Sequence, residues 1–179
     1  MERYVDLDEM LRFRERKVRI QEELRGKYKD MVTMALAMNI PGPVKTSPDI
    51  LLAFSEGTKA LEQAVSDSGM GIEEMAAISE NAGYIKFYAL NCFDPVQVKE
   101  LAVRLEETHP LGRLWDIDVY DENGISMSRE SLSAPVRKCL ICGQDAKGCA
   151  RNRTHSVEEL IHEIEKMILD WKINSIDES

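Results

Sequence analysis

Two aspartates that fall on one face of a predicted strand have a spacing that suits metal-assisted chemistry. Apolar and polar residues alternate from Arg113 to Tyr120, so Asp116 and Asp118 point to one side of the strand and the residues between them point to the other. At about 3.3 Å per residue their α-carbons lie roughly 6.5 Å apart, so both carboxylates can reach one hard cation such as Mg²⁺. An Asp-x-Asp pair alone is more often an exposed acidic strand face, so the neighbouring sequence decides its meaning.

A basic segment, residues 129–155, follows the acidic pair. It holds six cations against two acids, a local balance of +4 in a chain whose net charge is −9. Guanidinium and ammonium groups are the side chains that bind phosphate oxygens. Metal-binding acids followed by phosphate-binding cations predict a site for one polyphosphate. The six cations are Arg129, Arg137, Lys138, Lys147, Arg151 and Arg153.

The basic segment also contains a pattern of metal-binding residues, Cys139-x₂-Cys142-x₆-Cys149-x₅-His155. Three thiolates and one imidazole can close a tetrahedral Zn²⁺ site, and a Cys-x₂-Cys start is typical of such sites. Because all four ligands would be used, any zinc here is predicted to be structural. Reduced cysteines packed in a loop, or His155 acting near the phosphates, are the alternatives. Two function classes therefore stand side by side: an enzyme, and a non-enzymatic zinc-knuckle binding module.

Composition limits the class of protein. With 179 residues and 44% apolar content, residues 1–179 are predicted to form a single domain with the basic segment as a loop within it. The chain has no run of eighteen apolar residues and no signal peptide, and its four cysteines suit a reducing compartment, which predicts a soluble, cytoplasmic protein. A net charge of −9 argues against nucleic-acid or membrane partners.

Helices and strands alternate along the chain. This order predicts an α/β or α+β fold, in which a small mixed β-sheet is flanked by helices and a long helix closes the chain. The predicted helices are residues 6–29, a helix opening at Ser47-Pro48, a short helix over residues 72–79, a helix after Asp94-Pro95, and a helix opening at Ser156. The predicted strands are residues 31–40, 84–91 and 113–120, with residues 125–128 returning from an Asn-Gly turn as a hairpin. For residues 31–40 a helix is the alternative, because Ala and Met favour it.

Two further cations lie where they could meet a phosphate. Arg14 and Gln21 fall on the apolar stripe predicted for the first helix, which otherwise consists of Leu7, Met10, Leu11, Val18 and Leu24. Arg14 is therefore either a site residue or a snorkelling side chain at the helix edge. Lys45 follows the rigid turn Pro41-Gly42-Pro43 and precedes a helix N-terminus, an order that suits phosphate binding and equally suits a plain structural turn.

Three stretches together carry a family resemblance. They are Arg14-Glu15-Arg16 with Gln21 in the first helix, the turn over residues 39–45, and residues 112–156 with the acidic pair and the Cys/His pattern. On these residues the chain resembles the apo-citrate lyase phosphoribosyl-dephospho-CoA transferases, also called holo-citrate lyase acyl-carrier-protein synthases. The acidic pair also looks like the Asp-x-Asp strand of the nucleotidyltransferase fold, although the sequence singles out neither a preceding Gly-Ser motif nor a third carboxylate.

The resemblance implies an activity and its partners. The enzyme would transfer the phosphoribosyl-dephospho-CoA group from triphosphoribosyl-dephospho-CoA to a serine of the acyl carrier (gamma) subunit of citrate lyase, with release of pyrophosphate. Asp116 and Asp118 would hold Mg²⁺ and serve as the catalytic residues. The residues predicted to bind the substrate's phosphates are Arg14, Lys45, Arg113, Arg129, Arg137, Arg151 and Arg153.

Overall fold

A four-stranded sheet with helices on both faces organises the chain, as described by a computed structural model for residues 3–177. The α-helices of this part of the chain are α1 (Leu7–Lys27), α2 (Pro48–Asp67), α3 (Pro95–Thr108), α4 (Ala146–Asn152) and α5 (Val157–Asp177). The strands are β1 (Val32–Met38), β2 (Gly71–Glu80), β3 (Gly83–Asn91) and β4 (Trp115–Tyr120). None of the helices described is long and apolar enough to cross a membrane.

The strands lie in the order β2-β3-β1-β4, and each neighbouring pair is antiparallel. The predicted α/β class, with a small sheet flanked by helices and a long final helix, is confirmed. The sheet is antiparallel throughout rather than mixed. The connections through α2 and α3 join strands that run in the same direction, but those strands are not neighbours, and the turn from β2 to β3 joins neighbours in opposite directions. β4, which carries the acidic pair, is an edge strand paired with the central strand β1.

Side chains alternate between the two faces of the sheet, and each face has its own core. On one face Met34, Leu36 and Ile117 pack among residues of α2, α3 and α5. On the other face Ala35 and Ala37 of β1 and Phe87 of β3 pack against Phe13 and Leu24 of α1. β1 is covered on both faces, which explains its almost continuous burial and confirms the prediction of a buried strand.

The helices begin where their capping residues predict. Asp6 forms a capping box with Glu9 at the start of α1, and Ser47 accepts a hydrogen bond from the N–H of Ile50 at 3.1 Å. Asp94 caps α3. Ser156 and Glu159 form the predicted capping box at the start of α5. These local signals fix the helix starts because each satisfies N–H groups that have no partner within the helix.

Two predicted elements are wrong. Residues 72–79 form most of β2 and not a short helix: their helix-forming Glu, Met and Ala residues are outweighed by a long antiparallel ladder with β3. Residues 125–128 do not form a returning strand and make only an isolated bridge between Tyr120 and Ser126. The Asp121 carboxylate accepts the N–H groups of Asn123 and Ile125 at 2.9 and 2.7 Å. The chain does turn back, with the Asp121 N–H donating to the Ile125 carbonyl oxygen at 3.0 Å and the Met127 N–H donating to that of Val119 at 2.8 Å, but the pairing is too short to form a strand.

The inward stripe of α1 also differs from the prediction. Leu7, Leu11 and Val18 are exposed, whereas Phe13 and Leu24 are buried. The true inward face is rotated, because α1 packs Phe13 against the far end of the sheet, at Gly83, and presents polar side chains to β4. Of the two polar residues on the predicted stripe, Gln21 lies beside Tyr120 at the end of β4, whereas Arg14 lies near Lys45.

Close packing between α2 and β4 gives a test of the fold. The Trp115 indole N–H donates to the carbonyl oxygen of Ala53 at 3.0 Å, and a Cβ added at Gly57 would lie 2.7 Å from the indole ring. We expect Gly57→Ala to lower the free energy of unfolding by about 1–3 kcal/mol through overpacking. Gly26→Ala is the matched control, since a Cβ at Gly26 meets nothing within 4 Å. The control should gain about 0.5–1 kcal/mol in urea denaturation; equal stabilisation of both variants would contradict the packing.

Candidate active site

The acidic pair lies on the face of β4 that α1 covers. Asp116 and Asp118 are opposite Ala37 and Ala35 of β1, whose small side chains leave space above the strand. The Asp116 side chain is 52% exposed and that of Asp118 is 29% exposed. Trp115, between α2 and the sheet, and its apolar neighbours are buried on the opposite face, so the predicted alternation is confirmed. The strand therefore presents two carboxylates side by side at a partly open surface.

Cations from two different parts of the chain neutralise these carboxylates. Lys17 of α1 donates to Asp118, with 2.7 Å between Nζ and Oδ2. Arg137 of the basic segment lies 3.4 Å from Asp116, between Nη1 and Oδ1. Arg137 also donates to the carbonyl oxygens of Trp115 and, at 2.8 Å, of Arg113. The guanidinium thereby fixes the basic segment to the start of β4.

The pKa values of the site reflect this crowding. Burial of the Asp116 carboxyl, followed by repulsion from Asp118, raises its pKa, although Arg137 acts in the opposite direction. Burial opposes the charged form of Lys17, but attraction to Asp118 outweighs it and raises the pKa of this ammonium. A further cation bound at the pair would favour the charged form of both carboxylates.

Buried charges of α3 hold the free edge of β4. Glu106, only 3% exposed, accepts the N–H of Ile117 at 2.8 Å, and buried Lys99 donates to the carbonyl oxygen of the same residue at 3.0 Å. Glu106 also pairs with Arg129, which makes a second ion pair with Glu107 at 2.6 Å. These bonds satisfy an edge strand that would otherwise expose its backbone. They place Arg129, predicted as a phosphate ligand, in a network that joins α3 to the basic segment.

A cavity of about 700 Å³ lies between the basic segment, the turn after β1 and the start of α5. Neither Asp116 nor Asp118 lines it, and Arg137, which does, connects it to Asp116. Its lining includes the guanidinium groups of Arg113, Arg137 and Arg153, together with apolar side chains such as Leu140 and Leu160. Burial, followed by repulsion from Arg137 and Arg129, lowers the pKa of Arg113. The cavity is therefore cationic, and a bound anion would be favoured there. Its volume suits a ligand of nucleotide size.

The remaining predicted cations lie elsewhere. Lys45 donates to the carbonyl oxygen of Ile40 at 2.5 Å, and burial together with the nearby charge of Arg14 lowers its pKa. Arg14 and Lys45 thus form a second cationic pair near the rigid turn. Arg151 is exposed on α4 and is not part of the cavity lining in the described structure. The structure brings together only some of the predicted phosphate ligands: Arg113, Arg137 and Arg153.

The Cys/His residues of the basic segment meet in space. One potential ligand atom from each of Cys139, Cys142, Cys149 and His155 lies within 4.8 Å of the others, so the four can hold a metal ion. The Cys142 and Cys149 sulfurs are 3.5 Å apart. Burial of the Cys139 thiol opposes its ionisation, but N–H donors from Cys142 and Ile141 outweigh it and lower its pKa. Three of the four residues, all except Cys142, also line the cavity.

Sequence reasoning missed two residues of the site, Lys17 and Glu106. For both residues, helical spacing in the sequence offered a signal. Lys17 stands three residues after Arg14 and four before Gln21, so all three share one stripe of α1, and Gln21 lies beside Tyr120 at the end of β4. Glu106 stands seven residues after Lys99, on a helix whose other inward residues are apolar. Two opposite charges on a buried stripe indicate polar partners across the interface.

Taken together, an acidic pair on an edge strand and a cation-lined cavity beside it, within an α/β fold, are typical of enzymes that act on phosphorylated substrates. The chain belongs to the apo-citrate lyase phosphoribosyl-dephospho-CoA transferase family, whose sequence model matches residues 5–171. Family membership confirms the predicted resemblance. It also favours the enzyme over the non-enzymatic zinc-knuckle module.

Curated proteins with this description match the chain over most of their own length. A probable apo-citrate lyase phosphoribosyl-dephospho-CoA transferase of Streptococcus pyogenes serotype M18 is 37% identical over 92% of this chain and 85% of its own. A probable transferase of the same description from Vibrio cholerae serotype O1 is 33% identical over 93% of both chains. The apo-citrate lyase phosphoribosyl-dephospho-CoA transferase of Citrobacter koseri is 39% identical over 73% of this chain and 70% of its own.

The buried position of Glu106 generates a stability prediction. Glu106→Gln leaves the Arg129 guanidinium with one carboxylate partner and turns an amide donor towards it. We expect a loss on the order of 3 kcal/mol in the free energy of unfolding, because breaking a buried ion pair leaves a charge uncompensated. Glu107→Gln is the matched control: its side chain is 38% exposed, so its loss should stay within about 1 kcal/mol. Chemical denaturation measures both, and equal losses would argue against the role assigned to Glu106.

Proposed function

We propose that this protein transfers the phosphoribosyl-dephospho-CoA group from triphosphoribosyl-dephospho-CoA to a serine of the citrate lyase acyl carrier (gamma) subunit and releases pyrophosphate. The observation that carries the proposal is the contact between the acidic pair and the cationic cavity, made through Arg137 and Asp116. Family membership supports the identity of the group and of the acceptor.

The reaction sets clear demands on the site. The serine oxygen of the carrier attacks the α-phosphorus of the precursor, the bond from that phosphorus to the bridging oxygen breaks, pyrophosphate leaves, and the hydroxyl proton is lost. The nucleophile comes from the carrier, so this chain needs no catalytic serine. It must align the triphosphate with the incoming hydroxyl and neutralise the charge that gathers on the leaving pyrophosphate.

The acidic pair fits a divalent metal. Asp116 and Asp118 offer carboxylate oxygens, the ligands that Mg²⁺ prefers, and mutual repulsion contributes to the raised pKa of Asp116. Mg²⁺ held there would supply positive charge beside the triphosphate and the leaving group. Lys17 and Arg137, which neutralise the two carboxylates in the described structure, would then be free to bind phosphate oxygens. Lys17 and Arg137 would then contribute positive charge to substrate binding in place of their contacts with the aspartates.

Different side chains of the cavity suit different parts of the substrate. Arg113, Arg137 and Arg153 line it and are the strongest candidates for phosphate contacts, whereas Leu140 and Leu160 suit the adenine ring of the dephospho-CoA group. The other predicted phosphate ligands are proposed to act from the edges of the site or through the structure around it. They are Arg14, Lys45, Arg129 and Arg151.

Intact-mass measurement of the carrier subunit tests the proposed function. Purified protein, apo carrier subunit, triphosphoribosyl-dephospho-CoA and Mg²⁺ are incubated together, and the carrier should gain the mass of one phosphoribosyl-dephospho-CoA group. A carrier with alanine in place of its acceptor serine is the control and should gain nothing. An unchanged carrier mass, with both substrates verified, would overturn the proposal.

The acidic pair gives the sharpest prediction about catalysis. Asp116→Asn and Asp118→Asn keep side-chain size but each removes a charge from the metal site, so each should lower the transfer rate on the order of 10²-fold or more. Because both act through one metal, the double variant should lose much less than the product of the single losses. Rates are measured against Mg²⁺ concentration, and thermal melts establish folding.

The control for these variants is Glu122→Gln, which removes an exposed carboxylate from the turn after β4. Its transfer rate should stay near that of the unaltered protein. Folded Asn variants with near-normal rates would place the metal away from β4.

Two basic residues near the two ends of α4 allow a direct phosphate contact in the cavity to be distinguished from the general effect of positive charge. Arg153 lines the cavity and Lys147 does not, while both are exposed. A charge-assisted hydrogen bond to a phosphate contributes about 1.5–3 kcal/mol, so Arg153→Gln should raise the KM for the precursor at least roughly tenfold. Lys147→Gln, the matched control, should leave the KM near its original value. The reverse ranking would mean that the phosphates bind outside this cavity.

A further inference from the structure

The Cys/His residues of the basic segment have the geometry of a metal centre. In a tetrahedral Zn²⁺ site with Zn–S near 2.3 Å and Zn–N near 2.0–2.1 Å, neighbouring ligand atoms are separated by about 3.3–3.8 Å. The potential ligand atoms of Cys139, Cys142, Cys149 and His155 all lie within 4.8 Å of one another, and the Cys142 and Cys149 sulfurs are 3.5 Å apart. A shift of about 1 Å or less would therefore close the tetrahedron.

A buried nitrogen without a partner points to a ligand at the same place. Nε2 of His155 is inaccessible to solvent and has no hydrogen-bond partner among the described residues. Buried polar atoms are nearly always paired, so an orphaned imidazole nitrogen calls for an explanation. Neutral imidazole can present a lone pair at this atom, and coordination to a metal would satisfy it.

A tight turn, α4 and the residue before the capping box of α5 present the ligands. Cys139 and Cys142 share a tight turn in which the N–H of Cys139 donates to the carbonyl oxygen of Gln144 at 2.6 Å and Gly143 has a φ of +69°. Cys149 lies on α4, and His155 immediately precedes the capping box of α5. The four side chains thus tie the turn to α4 and to the start of α5.

The basic segment has little hydrophobic core of its own. Among residues 129–155, Cys139 is the one buried residue, and α4 buries none. A segment that cannot bury enough apolar surface needs another cross-link to hold one conformation, and a structural metal is a common one. The segment nevertheless has to keep its cations in fixed places beside the acidic pair.

Charge and ligand chemistry select zinc. Thiolates are soft ligands that favour Zn²⁺ over Mg²⁺. Three thiolates and a neutral imidazole give the centre a net charge of −1, which the surrounding positive segment, +4 by sequence, compensates. We propose that Cys139, Cys142, Cys149 and His155 bind one structural Zn²⁺, and that this centre fixes the cation-bearing wall of the cavity.

The positions of the four ligands along the chain explain how zinc would fix the cation-bearing wall of the cavity. Arg137 precedes Cys139 by two residues and Arg153 precedes His155 by two residues, so two of the cavity's guanidinium groups lie close to a ligand in the chain. Binding releases the three thiol protons and leaves no open position for substrate, so zinc acts on the site's shape and not on the reaction. The link to substrate rests on the proposed function, whereas zinc binding itself does not.

Metal analysis tests the site directly. Untagged protein purified without chelator should contain one equivalent of zinc, and Co²⁺ in its place should give the thiolate-to-cobalt absorption of a sulfur-rich tetrahedral site. Cys142→Ser, at an exposed ligand, should lose most of the zinc while the circular dichroism of the sheet and helices persists. Cys92→Ser, which changes a cysteine outside the cluster, should keep one equivalent. Zinc well below one equivalent in the unaltered protein, or full zinc in Cys142→Ser, would overturn the site.

Precursor binding tests the link to the cavity. Titration calorimetry with triphosphoribosyl-dephospho-CoA should give a Kd at least roughly tenfold higher for Cys142→Ser than for Cys92→Ser. An equal Kd in the zinc-depleted variant would overturn the role of the centre in shaping the wall. Stoichiometric zinc together with an unmodified carrier in the mass assay would instead overturn the proposed transfer and leave the zinc site standing, so the two failures are distinguishable.

Discussion

The site depends on two carboxylates that lie next to each other on the same face of one strand and must be balanced by positive charge. Asp116 and Asp118 repel each other, and the fold answers with a cation from each side: Lys17 from α1 and Arg137 from the basic segment. The first contact ties α1 to β4, and the second ties the basic segment to the same strand. They also hold positive charge beside a cavity that would receive a triphosphate. The same interactions thus contribute to the fold and prepare the site for catalysis.

The edge position of β4 gives the site both support and access. A central strand would be paired on both sides, whereas β4 has a free edge to which α3 contributes Glu106 and Lys99. Glu106 extends this support to the basic segment through Arg129. The basic segment, which carries cations that contact substrate in the proposed reaction, is therefore held at one end by buried ion pairs. At its other end the Cys/His cluster would be the anchor if it binds zinc as proposed.

Local signals in the sequence predicted much of this arrangement. Capping residues located the helix starts, strict alternation placed the acidic pair on one face, and Cys and His spacing identified a cluster that does form in space. Partners that are distant along the chain could not be read in this way: Lys17 lies 101 residues before Asp118. β2 was mistaken for a helix because its residues favour helix locally, and only pairing with β3 reverses that preference. The cavity forms where separate segments meet, so no single stretch predicted it.

A crystal structure of the protein with triphosphoribosyl-dephospho-CoA and Mg²⁺ would test the central claim most directly. We expect the triphosphate in the cavity against Arg113, Arg137 and Arg153, a divalent cation held by Asp116 and Asp118, and Lys17 released from Asp118. A triphosphate bound away from β4, with the Lys17–Asp118 and Arg137–Asp116 contacts intact, would contradict it.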